Sequence, residues 1–173
     1  DPVSGHAAIV DPVAERIERD LKTLEELGLT LKFALETHVH ADHITSAAKL
    51  RERTGCKLGV AVTGNVSGLD LELADGDQID LGPHPVEVRA TPGHTNTCLS
   101  FYIPDLGAVL TGDTLFVRGC GRTDFQAGDP ETLYRSVHDR ILSLPPATYI
   151  YPGHDYNGRT RSTVSEELQH NPR

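Results

Sequence analysis

The segment Thr37-His38-Val39-His40-Ala41-Asp42-His43 puts three imidazoles and a carboxylate within a few positions of one another, and His94, Asp113 and His154 follow downstream. Imidazole nitrogen and carboxylate oxygen suit Zn, Fe or Mn, and the lack of thiolates beside them favours an open, catalytic metal site over a closed structural zinc site. On an extended segment, positions 38 and 40 project the same way, so His38 and His40 can meet one ion together. Asp42 and His43 come after the chain turns toward the next helix; they aim from another direction and could serve a second ion. His94, Asp113 and His154 each follow a strand, in Thr91-Pro92-Gly93-His94-Thr95, Thr111-Gly112-Asp113 and Pro152-Gly153-His154-Asp155. The adjacent glycines let backbone approach closely, and rigid strands hold ligands in register. The residues alone predict a site for one or two transition-metal ions. His6, His84, His138 and His170 read as ordinary surface residues, and Cys98 as core.

Such ligands need a scaffold that brings distant loops together. Ala8-Ile9-Val10 reads as a short strand running into Asp11-Pro12, where Pro12 pushes Asp11 out of the helical region. Ile17, Leu21, Leu24 and Leu27 recur at helical spacing, and Gly28 stands where a left-handed cap would stop that helix. Residues 33–37 read as a strand that delivers the histidine cluster at its C-terminal end, the edge where open α/β sheets place ligands. A helix over 44–53 and a strand over 58–62 follow, and residues 63–80 are turn-rich. Strands over 86–91, 97–103 and 108–111 make a β-meander. Asp129 as N-cap, Pro130 at the first helical position and the apolar stripe Leu133, Val137, Ile141 and Leu144 predict a third helix. A strand over 148–151 precedes His154, and Thr163 with Glu166 reads as a capping box opening a last short helix. Meanders interrupted by helices, rather than strict βαβ alternation, predict two packed sheets with helices outside.

The chain of 173 residues fits a single domain over 1–173. It is 38% hydrophobic and 24% charged, with no apolar run near the ~18 residues that a membrane span requires. A net charge of -9 argues against a nucleic-acid partner, which needs a surplus of Lys and Arg on one face. Cys56, Cys98 and Cys120 are odd in number and widely spaced, so neither a disulfide framework nor a thiolate zinc site is expected, and a reducing compartment fits. With no methionine and no leader pattern, Asp1 reads as a trimmed or processed start.

His38-Val39-His40-Ala41-Asp42-His43, Gly93-His94-Thr95, Gly112-Asp113-Thr114 and Gly153-His154-Asp155 together resemble the metallo-β-lactamase superfamily over most of the chain. Within it, Arg118-Gly119-Cys120-Gly121-Arg122-Thr123-Asp124-Phe125-Gln126 and Gly153-His154-Asp155-Tyr156 resemble the persulfide dioxygenases, whose nearest relatives are the glyoxalase II thioesterases. The resemblance implies a four-layer αβ/βα sandwich with the metal at the edge between the two sheets. It implies one Fe(II) per chain on His38, His94 and Asp113, which are then also the catalytic residues, a face that leaves adjacent positions open. His40, Asp42, His43, His154 and Asp155 then orient ligands or shape the pocket. In glyoxalase II the matching residues bind two ions, so a Zn or mixed dinuclear site is the alternative.

The reaction so implied turns glutathione persulfide, O2 and water into sulfite and glutathione, a step of hydrogen sulfide catabolism. Arg122 and Tyr156 match positions that contact the glycine carboxylate of glutathione in glyoxalase II, and a guanidinium fork suits such an anion. Arg118, Cys120 and Arg159 are further substrate-pocket candidates, with Arg118 and Arg159 standing equally well as exposed loop charges and Cys120 as a tight-turn residue. Family members carry one or two strands before the equivalent of Ala8 and residues beyond Pro172, so the chain reads as short at both ends. A missing edge strand would leave sheet backbone unpaired. Relatives occur fused to rhodanese domains, so a rhodanese domain, fused or associated, is admitted as a partner, as is a homodimer. A bacterial cytoplasmic location is expected, with the mitochondrial matrix as the alternative. Two other functions compete: a two-metal hydrolase of glutathione thioesters, and a non-catalytic metal- or thiol-binding module.

Overall fold

Strands connected through helices return parallel, and strands connected by tight turns run antiparallel. Both kinds of connection occur in the computed structural model, which describes residues 1–173, and they sort the strands into two sheets. β1 (His6–Val10), β2 (Thr30–Leu35), β3 (Lys57–Ala61) and β4 (Leu71–Leu73) form a parallel sheet in that order. α1 (Ile17–Glu26) and α2 (Ala47–Thr54) are its crossovers. β5 (Gln78–Leu81), β6 (His84–Ala90), β7 (Leu99–Ile103) and β8 (Ala108–Gly112) form the antiparallel meander of the second sheet. After α3 (Pro130–Arg135), β9 (Tyr149–Pro152) returns parallel to β8, and β10 (Ser162–Thr163) leads into α4 (Val164–His170).

Three apolar clusters mark the three interfaces of four layers. Leu31, Ala34, Leu50 and Leu58 pack the first sheet against α1 and α2. Leu35, Leu73, Val88 and Phe101 lie between the sheets. Val109, Ile150, Leu133 and Val164 pack the second sheet against α3 and α4. The alternation of Ala34 and Leu35 on β2 shows how one strand feeds two interfaces. Each fully buried Leu, Val or Phe contributes about 1.5–3 kcal/mol, and the product is the αβ/βα sandwich.

The elements differ from the sequence reading where neighbours override local pattern. β2 ends at Leu35, so Glu36 and Thr37 leave the strand before the histidines. α2 starts at Ala47 rather than at 44, because Thr45 makes an isolated bridge to Val13 and its hydroxyl hydrogen-bonds Glu36. The turn-rich stretch 63–80 contains β4 and the start of β5, whose few apolar residues are too short a pattern to stand out. The helix that begins at Pro130 is α-helical only to Arg135 and then widens to a π turn over Ser136–Ile141, with Val137 and Ile141 both buried. β1 has β2 as its only strand partner and forms the edge of its sheet.

Candidate metal centre

The loops that leave the C-terminal ends of β1, β2, β6, β8 and β9 meet at one edge of the sandwich, which brings residues 11, 38, 94, 113 and 154 together. One ligand atom each of His38, His94 and Asp113 lies within 4.8 Å of the others. His94 Nε2 is 3.6 Å from Asp113 Oδ2, and the His38 and His94 rings meet edge to face at 5.0 Å. His94 Nδ1 donates to the Arg122 carbonyl at 2.8 Å, and His38 Nδ1 lies 2.9 Å from the Thr37 hydroxyl. Each ring is therefore anchored through Nδ1 and offers Nε2. Burial, then the charge on His40, push the His38 imidazole down to about 3, so it stays neutral, as a ligand must. Two imidazole nitrogens and one carboxylate fit a divalent transition metal.

His40 sits beside His38, with ring centroids 4.0 Å apart, but its Nε2 turns to Asp11 Oδ1 at 3.0 Å and Glu36 Oε2 at 3.2 Å. The second contact is close yet off hydrogen-bonding geometry, since Glu36 Oε2 has no hydrogen-bond partner. Burial alone would lower the His40 pKa; the Asp11 hydrogen bond and the charges of Asp11 and Glu36 outweigh it and push it up to about 10. Burial raises Glu36, whereas the bonds from His40 and Thr37 hold Asp11 below its ordinary value despite burial. The expected convergence of His38 and His40 holds for the rings, while one face of His40 is committed to carboxylates. His40 Nδ1 and His43 Nε2 remain buried without hydrogen-bond partners, and His38, His40 and Asp42 form a second candidate ligand group. His154 bridges Asp113 Oδ1 at 2.8 Å and Asp42 Oδ2 at 3.1 Å. Its pKa is raised: partial burial opposes this, and the hydrogen bond and charge of Asp113 prevail.

His38, Asp42, His94, Asp113 and His154 line a cleft of about 460 Å³ beside Cys120, Arg122 and Tyr156. Arg122 is exposed and holds Asp124 through a two-point pair at 2.7 and 2.9 Å. Tyr156 stacks on His154 at 5.5 Å. Gly121 is required by close approach, because a Cβ there would lie 2.3 Å from the Asp113 carbonyl and 2.9 Å from the His94 ring. A larger hollow of about 520 Å³, also lined by residues 120–124, touches none of His38, His94 and Asp113, so the three candidate donors open to the smaller cleft.

Five sequence candidates lie outside that cleft: His40 and His43, which line a separate hollow with Glu36 and Thr45, and Arg118, Asp155 and Arg159. Arg118 pairs with Glu166 and Glu167, the latter fully buried, so it is neither a cleft cation nor a free surface charge. The Asp155 carboxylate accepts from the amides of Asn157 at 3.0 Å and Arg159 at 2.7 Å, which makes it a loop cap rather than a partner of a histidine. Arg159 lines a neighbouring hollow with Arg118. Conversely, sequence reasoning passed over Asp11, Glu36, Thr37 and Thr45. Parallel pairing of β1 with β2 was the available signal, because Val10 opposite Leu35 places Asp11 beside residues 36 and 37.

The profile of the metallo-beta-lactamase superfamily matches residues 3–154. Persulfide dioxygenase ETHE1, mitochondrial, of Homo sapiens is 49% identical over 176 residues, covering 100% of this chain and 68% of its own length. Hydroxyacylglutathione hydrolase of Brucella ovis is 38% identical over 177 residues, covering 96% of this chain and 65% of its own. The crystal structure of ETHE1 from Myxococcus xanthus superposes with a TM-score of 0.96 at 46% identity, covering 100% of this chain and 76% of that one.

Proposed function

The chain belongs to the metallo-β-lactamase superfamily and is a metal-dependent persulfide dioxygenase; we propose that His38, His94 and Asp113 hold a single Fe(II) and that glutathione persulfide is the substrate. The observation that carries the reading is the meeting of those three donors within 4.8 Å, in a chain 49% identical along its whole length to a persulfide dioxygenase. In the reaction the sulfane sulfur gives four electrons to O2 and its bond to the glutathione sulfur breaks. O2 and one water supply the oxygens of sulfite, and glutathione and two protons are released.

Iron(II), held by His38, His94 and Asp113, would supply the electron transfer between the substrate sulfur and O2. The chain's own residues do the rest. The Arg122 guanidinium exchanges the Asp124 carboxylate for one from glutathione, a bidentate geometry it already displays. Tyr156, which lines the same cleft, contributes its hydroxyl to the same anion. His154 holds Asp113 Oδ1, which leaves Oδ2 facing His94. Phe116 and Phe125 line the cleft with apolar surface beside the donors.

The hydrolase reading has its own support in the Brucella relative and in the second group of donors at His38, His40 and Asp42. Engagement of His40 by Asp11 and Glu36, and of His154 by Asp42 and Asp113, supports one ion over two. The test is an oxygen electrode. Iron-loaded protein should take up O2 with glutathione persulfide and release sulfite; cleavage of S-lactoylglutathione without O2 uptake would overturn the proposal. The mitochondrial human relative supports a mitochondrial location, with the matrix as the compartment we propose, and the Myxococcus relative supports a bacterial setting. No helix is long and apolar enough to cross a membrane. The same reading extends to a homodimer and to a rhodanese partner; light scattering checks the first and co-purification the second.

A further inference from the structure

We infer that the Thr37 hydroxyl, anchored by Asp11, is a positioning residue that fixes the tautomer and orientation of His38 and thereby sets the metal affinity of the site. The inference rests on the assignment of His38 as a ligand.

It follows from counting protons. The Asp11 carboxylate only accepts. It takes the Thr37 amide at Oδ1 (2.6 Å) and lies 2.8 Å from the Thr37 hydroxyl at Oδ2. The hydroxyl has one proton, and Asp11 takes it. Toward His38, 2.9 Å away, Thr37 Oγ1 can then only accept, so the imidazole proton sits on Nδ1 and Nε2 keeps its lone pair. A neutral imidazole without such a partner divides its proton between the two nitrogens, and only one of those forms offers Nε2 to a metal.

The arrangement is rigid. Thr37 is 1% exposed, and its carbonyl accepts from the Leu99 amide at 2.6 Å, which ties it to the second sheet. Gly112, one residue before Asp113, faces the hydroxyl so closely that a Cβ there would lie 2.4 Å from Thr37 Oγ1. Asp11 itself adopts a φ of 51°, the left-handed region that only a few non-glycine residues tolerate. Backbone strain at a residue whose side chain makes these contacts is consistent with a positioning role. The chain Asp11 to Thr37 to His38 thus links the ends of β1 and β2 to the metal position, and a carboxylate at its far end raises the basicity of the ligand.

Two measurements test it, neither depending on O2 chemistry. Nitrogen-15 NMR of the metal-free protein reads the His38 tautomer directly: wild type should show the proton on Nδ1 alone, and a proton on Nε2 would overturn the inference without any variant. Chelator competition with Zn(II) then compares Thr37→Val, which keeps the shape, with Thr37→Ser, which keeps the hydroxyl. The valine variant should bind about 10–100-fold more weakly, with both tautomers in its spectrum, and the serine variant should bind like wild type. Wild-type affinity in a folded valine variant, or equal loss in both variants, would show that Thr37 merely joins the strands. A chain that fails to consume O2 but shows the predicted tautomer and affinities would refute the dioxygenase and leave this inference standing.

Discussion

His38 and His40 are two residues apart and nearly in ring contact, yet their surroundings assign them opposite protonation. Burial and a neighbouring cation keep His38 neutral, whereas Asp11 and Glu36 hold His40 as a cation. Asp113→Asn keeps the shape and removes the anionic donor; iron affinity should fall more than about 100-fold, beyond the loss typical of outer contacts, with circular dichroism unchanged. Full iron occupancy in that variant would count against the ligand assignment. Arg122→Ala should raise KM for glutathione persulfide about tenfold, from a lost charged hydrogen bond of about 1.5 kcal/mol, with kcat nearly constant; steady-state kinetics would show a mainly kcat effect if Arg122 acted elsewhere. The donors were legible in the sequence because each stands in a short local motif at a strand end. Asp11 and Thr37 were not, since their roles come from a contact across 26 residues that only parallel strand pairing creates. The pairing of Arg118 with Glu167, 49 residues away, was hidden for the same reason.

At the scale of elements, the cleft depends on how the segment after β8 is fastened to α4. Glu167 is fully buried and accepts from the Arg118 amide and side chain, the Ser162 hydroxyl and the Asn171 amide group. Glu167→Ala leaves the Arg118 amide and the Ser162 hydroxyl without their acceptor and the guanidinium with Glu166 alone, and should destabilise the protein by about 3 kcal/mol, read as a lowered urea midpoint. A change within about 0.5 kcal/mol, the range of an ordinary surface substitution, would show that α4 does not secure this wall. Caps, turns and long apolar stripes were readable: Asp129 caps α3 through the Thr132 amide at 2.7 Å, and Thr163 caps α4 through the Glu166 amide at 3.2 Å. β4 and β5 were not, because three- and four-residue strands carry too little periodicity and are held by the sheet they join. The shift of α2 to Ala47 also has a tertiary cause, the Val13 bridge.

For the whole molecule, the two-sheet architecture was legible because mixed meanders and helices admit few layered solutions. The interlocking of its apolar clusters was not, since each draws on strands from distant parts of the chain. Leu35 and Phe101, from different sheets, share one cluster, and β2 serves two. We propose that residues 1–173 form one cooperative unit. Urea unfolding followed by far-UV circular dichroism and by tyrosine fluorescence should give coincident transitions, and separated midpoints would indicate two units. The central claim is a single iron on His38, His94 and Asp113 that oxidises a persulfide. The most direct measurement is an anaerobic titration of metal-free protein with Fe(II), assaying O2 uptake with glutathione persulfide after each addition. Activity should rise linearly and stop at one iron per chain; a rise that continues to two, or no O2 uptake at any loading, would contradict the account.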